Sequence, residues 1–241
     1  MIGSRQGWVE APYAPCPAGF DALARGLAWA ETGGARLAIV PGVSCVDASG
    51  VPDVMRGEET QVVGALDGAD GACVLPGTHS KWVTVSAGRI EAFATYMTGE
   101  LFAVMREHSI LGRLMSVDAA HAPEAFRRGW ETSLVGDGAL LHRLFGTRTL
   151  GLFDRLAPAA APSYLSGLLI GDEIRAAARS LAGSTVTVIG DPVLCERYRE
   201  VLSGVGIGAR VAPPYAARIG LWRIAIESGL ADGGRGRERP N

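Results

Sequence analysis

Residues 71–97, GACVLPGTHSKWVTVSAGRIEAFATYM, constrain the fold more than any other stretch. The apolar run ACVL is closed by Pro76-Gly77. Apolar and polar residues then alternate on both sides of Ala87-Gly88, as they do in a β-hairpin. Three strands in succession are therefore expected. At Thr98 the period changes from two to helical, and Thr98 reads as an N-cap before ELFAVMREHS.

The flanking sequence supplies helices and further strands. Residues 20–32, FDALARGLAWAET, carry apolar side chains at helical spacing and run into Gly33-Gly34, which reads as a helix stop. Residues 36–43, RLAIVPGV, read as one buried strand, and SCVDASGVPD as a loop. GEETQVVGAL reads as a helix with Glu58 and Glu59 in its first turn, where the helix dipole favours acids. From about residue 122 to 181 the pattern is helical, with APAAAP as a loop. TVTVIGDP, VLCERYREVL, IGARVA and AARIGLWRIAIESGL then read as strand, helix, strand and helix. The order βββα, helices, βαβα is that of an α/β protein.

Composition narrows the classes of function. With 241 residues, 48% of them hydrophobic, the chain can bury a core of one large domain or two small ones. The 23 basic and 25 acidic side chains leave no basic stripe for a phosphate backbone, so nucleic acid is not the expected partner. No run approaches the roughly 18 apolar residues of a membrane span, and no basic-then-apolar leader opens the sequence. A cytoplasmic protein is expected. Cys16, Cys45, Cys73 and Cys195 form no CxxC pair, and the four histidines are scattered, so free thiols and no protein-built metal cage are expected. Arg235, Arg237 and Arg239 sit among glycines and a proline, and residues 231–241 read as a disordered tail.

Four constellations carry chemistry. In PGTHSKWV, a small-residue turn between strands offers backbone N–H groups from Gly77, Thr78 and His79. The hydroxyls of Thr78 and Ser80 and the Lys81 cation complete a workable phosphate cradle. An ordinary hairpin-side turn is the competing reading, since the P-loop spacing is absent. Gly190-Asp191 follows a strand at the point where α/β sheets bind ligands, or is a plain strand-to-helix turn. In PDVMRGEETQ, Asp53, Glu58 or Glu59 could take a hydroxyl proton and Arg56 could hold an anion; a charged helix start is the bland alternative. Near the start, Ser4, Arg5, Gln6 and Trp8 would suit a sugar-acid pocket, with an aromatic wall and donors for a carboxylate, or are a frayed N-terminus.

Taken together, GSRQGWVEAPY, DVMRGEETQVVGAL, PGTHSKWV, FATYMTGELFAVMREHSILG, SYLSGLLIGDEI and TVTVIGDPVLCERYREVL resemble the 2-dehydro-3-deoxygalactonokinase family, in order, from Ile2 to about Ile226. The resemblance implies the sugar kinase, heat-shock ATPase and actin superfamily, with two RNase H-like domains and ATP between them. It implies ATP-dependent phosphorylation of 2-dehydro-3-deoxy-D-galactonate on its 6-hydroxyl in galactonate breakdown. Mg²⁺ would be held mainly through phosphates and water. Residues 1–70 would be the remainder of the first, sugar-side domain, and 71–230 the second, nucleotide-side domain with a helical insertion at about 110–165. Gly77, Thr78, His79, Ser80 and Lys81 would form the second phosphate loop, and Gly190 and Asp191 would lie beside the adenosine. Ser4, Arg5, Gln6, Trp8 and Arg56 would meet the sugar acid. Among the candidate bases, Glu58 and Glu59 come ahead of Asp53. The superfamily's opening strand with its Asp-x-Gly-Thr loop does not precede GSRQGW. The first domain is therefore expected to lack its N-terminal strands, leaving the LAIVPGV strand without partners and residues 1–70 poorly stabilised unless another subunit covers them. The partners implied are the sugar acid and ATP, with room for a homo-oligomer. A non-catalytic sugar-acid or nucleotide-binding remnant is the alternative.

Overall fold

The computed structural model describes residues 10–136, 139–181 and 184–231. In chain order its elements are β1 (Tyr13–Pro15), α1 (Phe20–Arg25), β2 (Ala28–Thr32), β3 (Ala35–Ile39), β4 (Gly42–Val46), β5 (Pro52–Met55) and α2 (Glu58–Leu66). There follow β6 (Gly71–Leu75), β7 (Ser80–Ser86), β8 (Arg89–Tyr96), α3 (Thr98–His108), α4 (Pro123–Leu134), α5 (Leu140–Leu152) and α6 (Ala161–Ala177). β9 (Thr185–Val188), α7 (Pro192–Gly204), β10 (Gly208–Val211) and α8 (Ala216–Glu227) complete the series. The protein is α/β.

The chain divides into two compact units, neither of them continuous. The first takes the described residues up to Val74, Trp82–Ala94, and those from Ala212 on; the second takes Leu75–Lys81 and Thr95–Val211. A single cut near residue 70 does not reproduce this division, because α8 packs against α2 in the first unit.

In the first unit β4 lies between β1, parallel to it, and β5, antiparallel to it. β2 and β3 form an antiparallel hairpin with Ala30 opposite Leu37. The helix expected over residues 20–32 therefore ends at Arg25. The reason lies in Gly33 and Gly34, at φ 53° and 79°: they are the left-handed turn of the β2–β3 hairpin, not a helix stop. The run RLAIVPGV likewise is two strands, split around Val40-Pro41, and both have partners. The expectation of one partnerless strand is corrected on that point. β6, β7 and β8 follow as adjacent strands, joined at Ala87-Gly88 as the alternation predicts. Leu23, Val43, Val62, Val74 and Ile90 are fully buried in this unit.

The second unit is built on α6, which is buried at thirteen of its seventeen positions. A helix apolar nearly all round belongs at the centre of its neighbours, and α3, α4, α5 and α7 all pack on it. Its contact with α4 is backbone against backbone: a Cβ at Gly167 would lie 2.0 Å from the Phe126 carbonyl oxygen, and one at Gly129 2.2 Å from that of Tyr164. Leu165, Leu168 and Ile174 from α6 and Phe126 from α4 are at most 0% exposed. β9 and β10 pair in parallel, Val186 opposite Ala209. Among the described residues no helix is long and apolar enough to cross a membrane.

Candidate functional site

In the second unit, the turn after β6 meets the start of α3. Gly99, at the second position of α3, lies so close that a Cβ there would be 2.4 Å from the Gly77 carbonyl oxygen, and the Glu100 N–H donates to the Thr78 carbonyl at 3.0 Å. The turn is thereby held against a helix start, with the Thr78 and His79 side chains exposed. His79 pairs with Glu100. The Gly190 turn after β9 comes to the same place: a Cβ at Gly190 would be 3.4 Å from the Pro76 carbonyl oxygen. Two motifs more than a hundred residues apart in the sequence thus converge within this unit.

Beside the turn is a cavity of about 380 Å³. Gly77, Thr78, Thr98 and Gly99 form one side; Phe102, Leu169, Ile170 and Leu194 supply apolar walls; Ser166, Arg197 and Tyr198 add polar groups. Its size and its apolar walls with few polar groups are those of a small-molecule pocket.

The sequence-flagged residues divide by orientation. Gly77 and Thr78 line the cavity. Ser80 is fully buried, with its Oγ 2.9 Å from the Tyr198 hydroxyl. Lys81 is also buried, and its ammonium donates to Thr95 Oγ1 at 2.8 Å. Asp191 is the N-cap of α7: its Oδ1 accepts from the Val193 and Leu194 N–H groups, both at 3.0 Å. The N-cap of α3 is Met97, which makes no side-chain capping bond; Thr98, the expected cap, is the first helical residue. It joins Tyr198 instead. Sequence reasoning passed over Arg197, Tyr198 and Glu173, and only a polar residue on an otherwise apolar helix face could have flagged them.

In the first unit, Arg56, Gly57, Glu58 and Glu59 make a compact charged turn at the start of α2. Glu58 Oε2 accepts from the Arg56 N–H at 2.9 Å, and Glu59 Oε2 from the Gly57 N–H at 2.6 Å, so each acid bends back onto the backbone before its own helix. Glu59 is 1% exposed, and burial pushes its carboxyl up to about 7. Asp53 and Glu58 are only half-buried. The Arg56 guanidinium lies 4.3 Å over the Tyr13 ring and donates through Nη2 to the Ala11 carbonyl at 2.9 Å. Its Nε and Nη1 are buried with no hydrogen-bond partner among the described residues. Ser4, Arg5, Gln6 and Trp8 lie outside the described residues, as do residues 232–241 of the expected tail.

The cysteines are free, and burial pushes the Cys16 thiol up to about 12 and that of Cys195 to about 11, values at which a thiol is unreactive at neutral pH. Among the described residues no three His, Cys, Asp or Glu side chains gather as a metal site.

This fold is that of a sugar kinase. It matches the crystal structure of a candidate 2-dehydro-3-deoxygalactonokinase from Sinorhizobium meliloti with a TM-score of 0.86 at 35% identity, over 93% of this chain and 76% of that one. The chain belongs to the 2-keto-3-deoxy-galactonokinase family, whose model matches residues 1–224. It is 35% identical over 228 residues to the 2-dehydro-3-deoxygalactonokinase of Escherichia coli (strain K12), covering 93% of this chain and 76% of that protein. It is 37% identical over 231 residues to the "Probable 2-dehydro-3-deoxygalactonokinase" of Rhizobium meliloti (strain 1021), covering 92% of this chain and 74% of that protein.

Proposed function

We propose that this chain transfers the γ-phosphoryl group of ATP to the 6-hydroxyl of 2-dehydro-3-deoxy-D-galactonate, in the breakdown of galactonate in the cytoplasm, on an RNase H-like fold of the actin type. The observation that carries the reading is the Gly77–Thr78 turn held on the start of α3 beside the 380 Å³ cavity, in a member of a sugar kinase family. Exposed backbone in a turn offers N–H groups to phosphate oxygens, and apolar walls receive a base and ribose. The loop from Gly77 to Lys81 is then the phosphate-binding segment, with Lys81 acting as a buried cation behind it rather than as a direct ligand. Asp191 sets the start of α7, and Gly190 lets the backbone turn there.

The sugar-acid carboxylate is assigned to Arg56, whose Nε and Nη1 are buried, have no hydrogen-bond partner among the described residues and can donate to an anion. Ser4, Arg5, Gln6 and Trp8 would complete that pocket. One of Asp53, Glu58 and Glu59 takes the 6-hydroxyl proton as that oxygen bonds to the γ-phosphorus and the bond to the β-phosphate oxygen breaks, releasing ADP. Exposure favours Asp53 and Glu58, since a base has to reach the proton that it removes. Mg²⁺, carried in on the nucleotide, supplies charge neutralisation of the phosphates.

A coupled ADP-release assay with and without 2-dehydro-3-deoxygalactonate tests this. Sugar-dependent ADP release is expected. Binding of the sugar without turnover would instead make the chain a ligand-binding protein.

A further inference from the structure

Behind the phosphate turn the structure holds a buried polar chain that the reaction itself does not use. The Tyr198 hydroxyl donates to Glu173 Oε2 at 2.7 Å, and Ser80 Oγ lies 2.9 Å from the same hydroxyl. Thr98 bonds to it as well. Ser80, Tyr198 and Glu173 are 0%, 1% and 3% exposed. A phenol has one proton to give. With that proton on Glu173, Ser80 and Thr98 must both donate to the phenolic oxygen, which is then saturated. One atom of α7 thus ties together β7, α3 and α6.

The two groups it receives flank the turn. Ser80 ends the Gly77–Ser80 segment, and Thr98 precedes Gly99, the residue pressed onto the Gly77 carbonyl. Both ends of the turn-helix contact are therefore referred to a single buried oxygen. The burial of Tyr198 and the Glu173 charge beside it hold the phenol well above its usual range, so it stays a neutral hydroxyl.

We propose that Tyr198 is a positioning residue for the nucleotide: by joining Ser80, Thr98 and Glu173 it keeps the Gly77–Ser80 backbone in the conformation that receives phosphate. The inference rests on the reading of that turn as the nucleotide site. Preorganised donors bind better than donors that must be ordered on contact, so the loss should fall on nucleotide affinity and leave the sugar acid alone.

The test is Tyr198→Phe in the full chain, which keeps the ring and removes only the hydroxyl. MgADP binding is measured by calorimetry, KM for ATP and for 2-dehydro-3-deoxygalactonate by the coupled assay, and the melting temperature alongside. The expected result is an ADP dissociation constant and an ATP KM raised about tenfold, the effect of one lost buried hydrogen bond, with the sugar KM within about twofold of wild type. Unchanged ADP affinity would overturn the proposal, as would equal losses for nucleotide and sugar. Should the Phe variant fail to fold, Ser80→Ala cuts one arm only, and wild-type ADP affinity in it would equally overturn the inference. A wild-type chain that binds no MgADP would refute the nucleotide-site reading, and this inference with it; binding in wild type with no effect in the variants refutes the inference alone.

Discussion

Glu59 offers the sharpest link between burial and measurable behaviour. Its carboxyl is 1% exposed, with burial raising it from an ordinary 4.5 to about 7. Between those two pH values the folded chain keeps the proton while the unfolded chain has released it. The folded state binds more protons there, so stability falls as pH rises through that window and is level on either side. At 1.36 kcal/mol per pH step the decline amounts to about 3 kcal/mol. Glu59→Gln removes the titration and keeps an oxygen for the Gly57 N–H. The measurement is urea unfolding of both proteins from pH 4 to pH 8. The stability of the Gln variant relative to wild type should rise by about 3 kcal/mol across that range. A difference that is constant with pH would show that Glu59 ionises normally and would refute the burial argument. Turnover of the same variant should also survive: a loss beyond the roughly hundredfold expected for removing a general base would place the base at Glu59.

Gly167→Ala should destabilise the chain by about 3 kcal/mol, since the new methyl meets backbone that cannot swing aside. That is a fall of roughly 6–12 °C in the melting temperature. Gly146→Ala, where a Cβ meets only open space in α5, should stabilise by about 1 kcal/mol. Thermal melts of the pair check both, and equal effects would refute the contact argument. Asp191→Ala should cost about 1 kcal/mol by uncapping α7, with Asp191→Asn close to wild type in the same melts. Arg56→Lys should raise the KM for the sugar acid about tenfold and leave that for ATP unchanged, read in the coupled assay.

Local chemistry was legible wherever one residue type has one physical use. The acids opening α2, the Ala87-Gly88 hairpin and the strand-turn-helix at Gly190 needed no tertiary information. Gly33-Gly34 shows the limit: paired glycines serve a helix end and a left-handed hairpin turn equally well, and which it is depends on whether AWAET finds RLA across the turn. The local sequence makes Thr98 a cap, yet the cap is Met97 and the Thr98 hydroxyl answers to Tyr198, a hundred residues on. The pocket walls on α6 and α7 were hidden for the same reason. Leu169 and Leu194 look like any core leucine until the packing leaves a cavity beside them.

The division of the chain also bears on inheritance. The path passes from one compact unit to the other at Val74–Leu75, Lys81–Trp82, Ala94–Thr95 and Val211–Ala212. Neither unit is encoded by one uninterrupted stretch of gene. A cut anywhere in the coding sequence, by recombination or by cloning, divides the first unit, and a cut between residues 75 and 211 divides the second as well, so the first unit can never be passed on whole without the second.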